Sequence, residues 1–384
     1  MTIPGFTSTG SKRPEALFGK ATGAPRSMTR AEGCRLWDSA GTEYVDMMMA
    51  LGAVALGYAH PKVVAATCEA AKSGTVGSLP PTAELEVADR LAALIPGAES
   101  VRFFKSGAEA VAAAVRVARV HTGRERVVTC GYHGWLDWCQ TEPGVPQSVT
   151  ALRTEIPFNE RAALERAMDE SGPVAALVLE PVIDAFPDID WLRAARAAAD
   201  RSGAVLVFDE IKTAFRIAVG GAAQRYGVVP DLMVLGKALG NGFPVAALCG
   251  SRDVMAAATR TWISSTLATE FVSLGAARAV LDVFAGEPVV EHLERVGSSL
   301  MRGLEQMAEN YPALFTGVRG IPQMCYLRCV DSTIWEAVAA GAASRGVLFK
   351  FAAYNFVSLA HSDQVVDQAL QQLDQVARQV EAAC

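Results

Sequence analysis

The sequence predicts an α/β fold, a mostly parallel central sheet with helices on both faces and a smaller α+β lobe beside it. Three observations carry this. Short apolar runs alternate with Ala-rich amphipathic stretches through the middle of the chain, as strands buried on both faces do when crossover helices separate them. The two ends of the chain follow other patterns, a turn-centred strand pair near the start and long amphipathic helices near the finish. With 384 residues, the chain has room for roughly two to three structural units.

In chain order, 34-CRLWDSAGTEYVDMMM-49 reads as a hairpin turning on 39-SAG-41, so the N-terminal part is expected to be antiparallel. The core strands are then 101-VRFF-104, 126-RVVTC-130, 174-VAALVLE-180, 204-AVLVFDE-210, 232-LMVLG-236 and 245-VAALCG-250. Between them, 107-GAEAVAAAVRVARVHTG-123 and 190-DWLRAARAAADRSG-203 read as helices, with Gly123 and Gly203 placed as C-terminal caps. From about residue 287 the pattern becomes a long amphipathic helix (289–310), then short strand-like pieces, then a final helix from about 363. The expected division is an N-terminal segment, 1–55, joining the small lobe, a large domain over 56–286 and a C-terminal α+β domain over 287–384.

Composition narrows the function. The formal charge of −6, from 35 basic and 41 acidic side chains, gives no basic field for nucleic acid. Hydrophobic residues make up 51% of the chain, yet no apolar run approaches the roughly 20 residues that span a bilayer. The expectation is a protein without nucleic-acid or membrane partners. Eight cysteines without a CxxC pair and an N-terminus lacking an apolar core segment point to the reducing cytoplasm. Five scattered histidines and the absence of HExxH and GxSxG motifs leave metal and hydrolase chemistry unsupported.

Four features can carry chemistry. The strand 205-VLVFDEI-211 ends in two carboxylates, and ligands of open α/β sheets bind beyond the carboxyl ends of strands. Alternation would place Asp209 with Ile211 on one face and Glu210 with Lys212 on the other; the plainer reading of Asp209 is a helix cap. In 236-GKALGNGFP-244, Lys237 is the most confined of eight lysines, and confinement lowers an amine pKa toward that of a Schiff-base nucleophile. A phosphate-loop reading fails because Asp231 and Ala238 occupy positions where that motif needs glycine and Ser or Thr. At 106-SGAEA-110 small residues open a helix, which suits a phosphate or simple capping by Ser106. The loop 131-GYHGWLDW-138 offers Tyr132 or Trp135 to stack on a flat ligand, or packs as an ordinary loop.

Together these features describe a site for pyridoxal 5'-phosphate. The ordered motifs SGAEA, GYHG, LEPV, FDEIKTAFR, PDLMVLGKALGNGFP and STLATE resemble the class III aminotransferases of fold type I, in the branch that includes glutamate-1-semialdehyde aminomutase. The likeness runs from 32-EGCRLWDSAGTEYVD-46 to 346-GVLF-349. It implies that Lys237 forms the Schiff base and later moves the proton between Cα and C4'. Asp209 would pair with the pyridine nitrogen, while Tyr132 stacks on one ring face and Ile211 presses on the other. Ser106, Gly107 and Ala108 would form the phosphate cradle, with Gly107 and Ala108 giving their N–H groups. Glu180 would orient the ring environment, and Thr266 would reach across a homodimer interface to the same phosphate.

Departures from the family pattern bear on substrate. Where the aminomutase has a carboxylate-binding arginine the alignment gives Ala16, with Arg13 out of register, and the segment after GYHG runs almost directly into 143-PGVP-146. Both argue for an aminotransferase, passing an amino group from a donor such as glutamate to a carbonyl acceptor by ping-pong kinetics. The HGW and DW pairs resemble members that aminate sugar-like aldehydes or ketones. Trp135 is then a substrate contact. Thr269 and Glu270 replace the usual GN, making Glu270 a candidate acceptor for substrate hydroxyls. The alternatives are a 2,1-aminomutase and a racemase or epimerase, both of which would keep Lys237 and Asp209. A degenerate scaffold would be expected to lose one of them.

Overall fold

The structure, a computed structural model, describes residues 2–20, 24–351 and 353–383. The chain divides into two compact units, one made of 61–290 and the other of the described parts of 1–60 and 291–384.

The larger unit is built on seven strands: β1 (Ser100–Phe104), β2 (Arg126–Cys130), β3 (Arg153–Glu155), β4 (Val174–Leu179), β5 (Val205–Asp209), β6 (Leu232–Leu235) and β7 (Ala246–Gly250). Their order across the sheet is β1-β7-β6-β5-β4-β2-β3. Strand β7 runs antiparallel to both its neighbours, and every other pairing is parallel. The registers align Val178 with Val207 and Asp209 with Val234, so β4, β5 and β6 finish side by side.

Helices cover both faces: α1 (Pro61–Lys72), α2 (Thr82–Leu94), α3 (Gly107–Thr122), α4 (Ile189–Ser202) and α5 (Phe271–Gly286) are the main ones. On one face Val111, Ala114, Val117 and Ala118 of α3 pack on Val178, Val207, Val234 and Leu248. Alternation sends Leu177, Leu206 and Phe208 to the other face, where α4 lies on β4 and β5 and buries Trp191, Leu192 and Ala195. Every residue of β4 to β7 is buried, which is why these strands read as unbroken apolar runs. Gly123 and Gly203 close α3 and α4 in the left-handed conformation, as their placement predicted. The edge strand β3 is missing from the sequence reading, since Arg-Thr-Glu has no apolar pattern to reveal it.

The smaller unit joins the two ends of the chain through a four-stranded sheet. Strands Met28–Glu32, Arg35–Asp38 and Glu43–Asp46 run antiparallel, and Val347–Leu348 adds in parallel to the last of them. A second sheet combines Phe315–Ile321, Met324–Cys329 and Asn355–Phe356. Helices Val289–Asn310 and Asp363–Ala383 begin where the periodicity placed them. Among the described residues no helix is long and apolar enough to cross a membrane.

Candidate active site

Four neighbouring parallel strands of the larger unit deliver the candidate residues at their carboxyl ends: the 131–134 loop follows β2, Glu180 follows β4, Asp209 ends β5, and Gly236-Lys237 follow β6. The start of α3 follows β1 on the same edge. Open α/β sheets place ligands at this edge.

Asp209 is buried, and its Oδ2 lies 2.9 Å from Nδ1 of His133. The His133 ring stacks on Trp138 at 6.0 Å between centroids, which fixes its plane, and its Nε2 is buried without a hydrogen-bond partner. The carboxylate is thus held in one orientation by a residue that sequence reasoning passed over as one of five scattered histidines. Its signal was its place between Tyr132 and Gly134 in a strand-end loop.

Glu180 is also buried. One oxygen accepts a hydrogen bond from Tyr132 N–H at 3.2 Å, and the other pairs with Lys212 Nζ at 3.1 Å. A Cβ on Gly131 would strike the Glu180 carboxylate at 2.7 Å, so the loop turns this tightly only with glycine there. The position of Lys212 corrects the expectation that it shares a face with Glu210. Strand β5 ends at Asp209 and the chain turns, so two-residue alternation stops there. Glu210 goes to the other side, against Ala222 and Ala223, while Lys212 swings back to Glu180.

Lys237 follows an extended Gly236 and adopts φ +44°, a left-handed conformation that costs a residue with a Cβ on the order of 1–3 kcal/mol and gathers at functional sites. Burial lowers its pKa to about 8, helped by the charges of Lys212 and Arg216 and opposed by those of Glu180 and Asp209. The confined amine is therefore close to neutral in mildly alkaline solution. Arg216, itself wholly buried and lowered to about 10 by desolvation, and Lys212 are the other members that the sequence reading missed.

The remaining candidates divide. Ile211 packs beside Gly107 and Gly236; a Cβ on Gly107 would meet its Cδ1 at 2.3 Å, so glycine lets the helix start close on the isoleucine. Ser106 caps α3 in a reciprocal capping box, accepting from Glu109 N–H while the Glu109 carboxylate accepts from Ser106 N–H. Its hydroxyl is engaged there, so the helix start offers backbone N–H groups at Gly107 and Ala108 rather than a serine side chain. Tyr132 and Trp135 are 66% and 75% exposed, and Tyr132 is tied to Glu180 through its backbone N–H. Thr266 is exposed in the segment before α5.

Glu270 has structural partners that its place in the sequence does not announce. Its carboxylate caps α5, accepting from Val272 N–H at 2.7 Å and Ser273 N–H at 2.9 Å, and pairs with the largely buried Lys105 at 2.9 Å. Both oxygens are engaged, so a substrate hydroxyl would have to compete with three donors. Glu270, the second residue of the dipeptide that replaces the usual GN, caps the helix that follows it.

A buried amine of lowered pKa, an oriented carboxylate, a helix start closed on an isoleucine and an exposed aromatic ring beside it suit a phosphorylated aromatic aldehyde. The fold and site define a pyridoxal-phosphate-dependent transferase of fold type I. Residues 19–379 match the family model "Aminotransferase class-III", and the chain belongs to that family, whose cofactor is pyridoxal 5'-phosphate. The glutamate-1-semialdehyde 2,1-aminomutase of Roseiflexus castenholzii is 34% identical, with 97% of this chain and 95% of that protein aligned. The enzyme of the same name from Polynucleobacter necessarius is 33% identical over 96% and 94%. Among solved structures, the FumI protein of Sphingopyxis sp. MTA144, in its pyridoxal-phosphate internal aldimine form, superposes with a TM-score of 0.88 at 26% identity, covering 94% of this chain and 90% of that one.

Proposed function

We propose that this class III protein is a cytoplasmic, homodimeric transaminase that takes an amino group from an amino acid, glutamate first among candidates, and passes it to a carbonyl acceptor of sugar-like character. The observation that carries the reading is the set of three groups at the ends of adjacent parallel strands: Lys237, Asp209 held by His133, and Glu180 held by Lys212. When bound, pyridoxal phosphate supplies an electrophilic aldehyde and an electron sink for charge developed at the substrate Cα. Lys237 supplies the amine for that aldehyde and then holds or releases a proton at Nζ. Asp209 would accept a hydrogen bond from the ring nitrogen, and His133 keeps the carboxylate aimed. Tyr132 and Ile211 would hold the ring between them, and the N–H groups of Gly107 and Ala108 would bind the phosphate at the positive end of α3.

The dimer reading rests on apolar surface. Leu79 and Trp262 are highly exposed and line a groove of about 910 Å³ that also includes Ser264, Ser265 and Thr269. A second subunit seated there would cover them and place Thr266 against its partner's phosphate. The seven cysteines among the described residues are free, which suits a reducing compartment.

A second reading, the intramolecular aminomutase, draws on the names of the relatives. Ala16, exposed on the short helix Pro14–Phe18, supports the transaminase instead, because it offers no charge to a substrate carboxylate. Glutamate added alone decides between them. A transaminase converts the visible band to the pyridoxamine form and releases 2-oxoglutarate. If amino donors leave the spectrum unchanged while a diamine or amino aldehyde is isomerised, the mutase reading replaces it.

A further inference from the structure

The acid next to Asp209 is as deeply buried, faces away from the cluster around Lys237, and has no part in the function just proposed. Glu210 is completely inaccessible. Its Oε2 accepts hydrogen bonds from the Thr213 hydroxyl and from Ala222 N–H at 2.9 Å, and its Oε1 accepts from Ala223 N–H at 2.8 Å. Gly221 lies so close that a Cβ there would meet the carboxylate at 2.1 Å, and its φ of +64° also calls for glycine. The carboxylate therefore ties the end of β5 to a stretch of chain more than ten residues further on.

What lies between those anchors is the part of the site that the strand itself cannot supply. Ile211 reaches Gly107 and Gly236, Lys212 reaches Glu180, and Arg216 donates from Nε to the Lys212 carbonyl at 2.8 Å. Phe215 holds φ +57° in the same loop, a conformation that persists in a non-glycine residue only where the surroundings impose it. We infer that Glu210 is a positioning residue, a latch behind the site that closes the 211–221 loop and so sets Ile211, Lys212 and Arg216 against the Lys237 cluster. The two adjacent acids divide the work: Asp209 faces the ligand, and Glu210 holds the loop that completes the wall.

The state of the acid supports this. Burial pushes the Glu210 carboxyl up to about 7, the neighbouring Asp209 charge acts in the same sense, and the hydrogen bonds from Thr213, Ala222 and Ala223 pull down against both. The burial behind this shift is the enclosure of the group by Thr213, Gly221, Ala222 and Ala223.

The inference rests on the assignment of the Lys237 cluster as the active site, and its test separates the two. Glu210→Gln keeps the shape of the side chain but sets an NH₂ group against one of the donors. Hydrogen–deuterium exchange of the purified full chain should show amides of 211–223 exchanging about tenfold faster, with β4 unchanged. With the cofactor bound, the visible band should persist with a shifted maximum or titration midpoint, and kcat should fall about tenfold while KM stays within about twofold. Thr213→Val removes one donor and leaves the carboxylate in place. It should move exchange and kcat in the same direction by about threefold, and it carries the test if Glu210→Gln does not fold. Unchanged exchange in 211–223 would overturn the latch. Faster exchange with an unmoved spectrum and kcat would overturn its role in positioning the site. A wild type that never forms the visible band would remove the active-site assignment, while the exchange result would still report on the latch.

Discussion

Asp209 and Glu210 are consecutive in sequence, both acidic and both buried, yet they stand in different regions of the molecule. Asp209 looks out over the carboxyl edge of the sheet, where one histidine nitrogen orients it and Lys237 lies within its field. Glu210 looks back into the unit, where backbone N–H groups and a threonine hydroxyl hold it. The first is partnered by groups that can exchange protons. The second is partnered by groups that cannot. The turn of the chain at the end of β5 makes the separation, and what each acid meets there decides whether it serves chemistry or architecture.

The largest effects belong to the first region. Lys237→Ala removes both the amine and the proton carrier, so turnover should fall by roughly 10⁴ or more and the visible band should vanish. Asp209→Asn should cost roughly 10²–10³ in kcat, as loss of a preorganised charge does. A loss as small as the tenfold expected for Glu210→Gln would erase the contrast between the two acids. In the cofactor-free chain, Lys237 should react with an amine-directed reagent along a pH curve centred near 8. A midpoint above 10 would mean that burial does not act on this amine.

The second region is tested by stability against pH. Glu210 has its folded pKa raised from 4.5 to about 7. Below 4.5 the carboxyl is neutral in both states and its contribution to stability is complete. Above pH 4.5 the unfolded chain ionises first, and the contribution, about 3 kcal/mol in all, is lost by the time the pH has risen through 7. Other groups titrate alike in wild type and Glu210→Gln, so urea melts of both at pH 5 and pH 8 isolate this acid. The wild type should lose more stability than the variant between the two pH values. Parallel losses would show that Glu210 is already ionised at pH 5.

The two regions were unequally legible in the sequence. Strands β4 to β7 could be read because burial on both faces leaves apolar runs, and Asp209 and Lys237 stood out because each breaks such a run at its carboxyl end. His133, Lys212 and Arg216 were not read. Their positions depend on where β5 stops and how the next loop folds back, and a period-two pattern carries no information past the last strand residue. The latch was hidden for the same reason, since Glu210 meets Ala222 and Ala223 only after the 211–221 loop has closed. Glu270 was read as a substrate contact because it departs from a family dipeptide. The helix that follows it takes its carboxylate as a cap, a partner that a comparison with a family dipeptide does not reveal.

That last residue gives the smallest effect. Glu270 and Lys105 are largely shielded, and the carboxylate also accepts two N–H groups at the start of α5. Glu270→Gln loses the ion pair and one of the two oxygens that cap α5, so it should cost about 1–2 kcal/mol of stability. Lys105→Met loses the ion pair alone and should cost less, and the double variant should cost little more than Glu270→Gln, because the pair can be lost only once. If Glu270 bound substrate instead, Glu270→Gln would raise KM for the acceptor while Lys105→Met would spare it. Small losses of stability, with KM for the acceptor unmoved in both variants, place Glu270 on the architectural side of the division that separates Glu210 from Asp209.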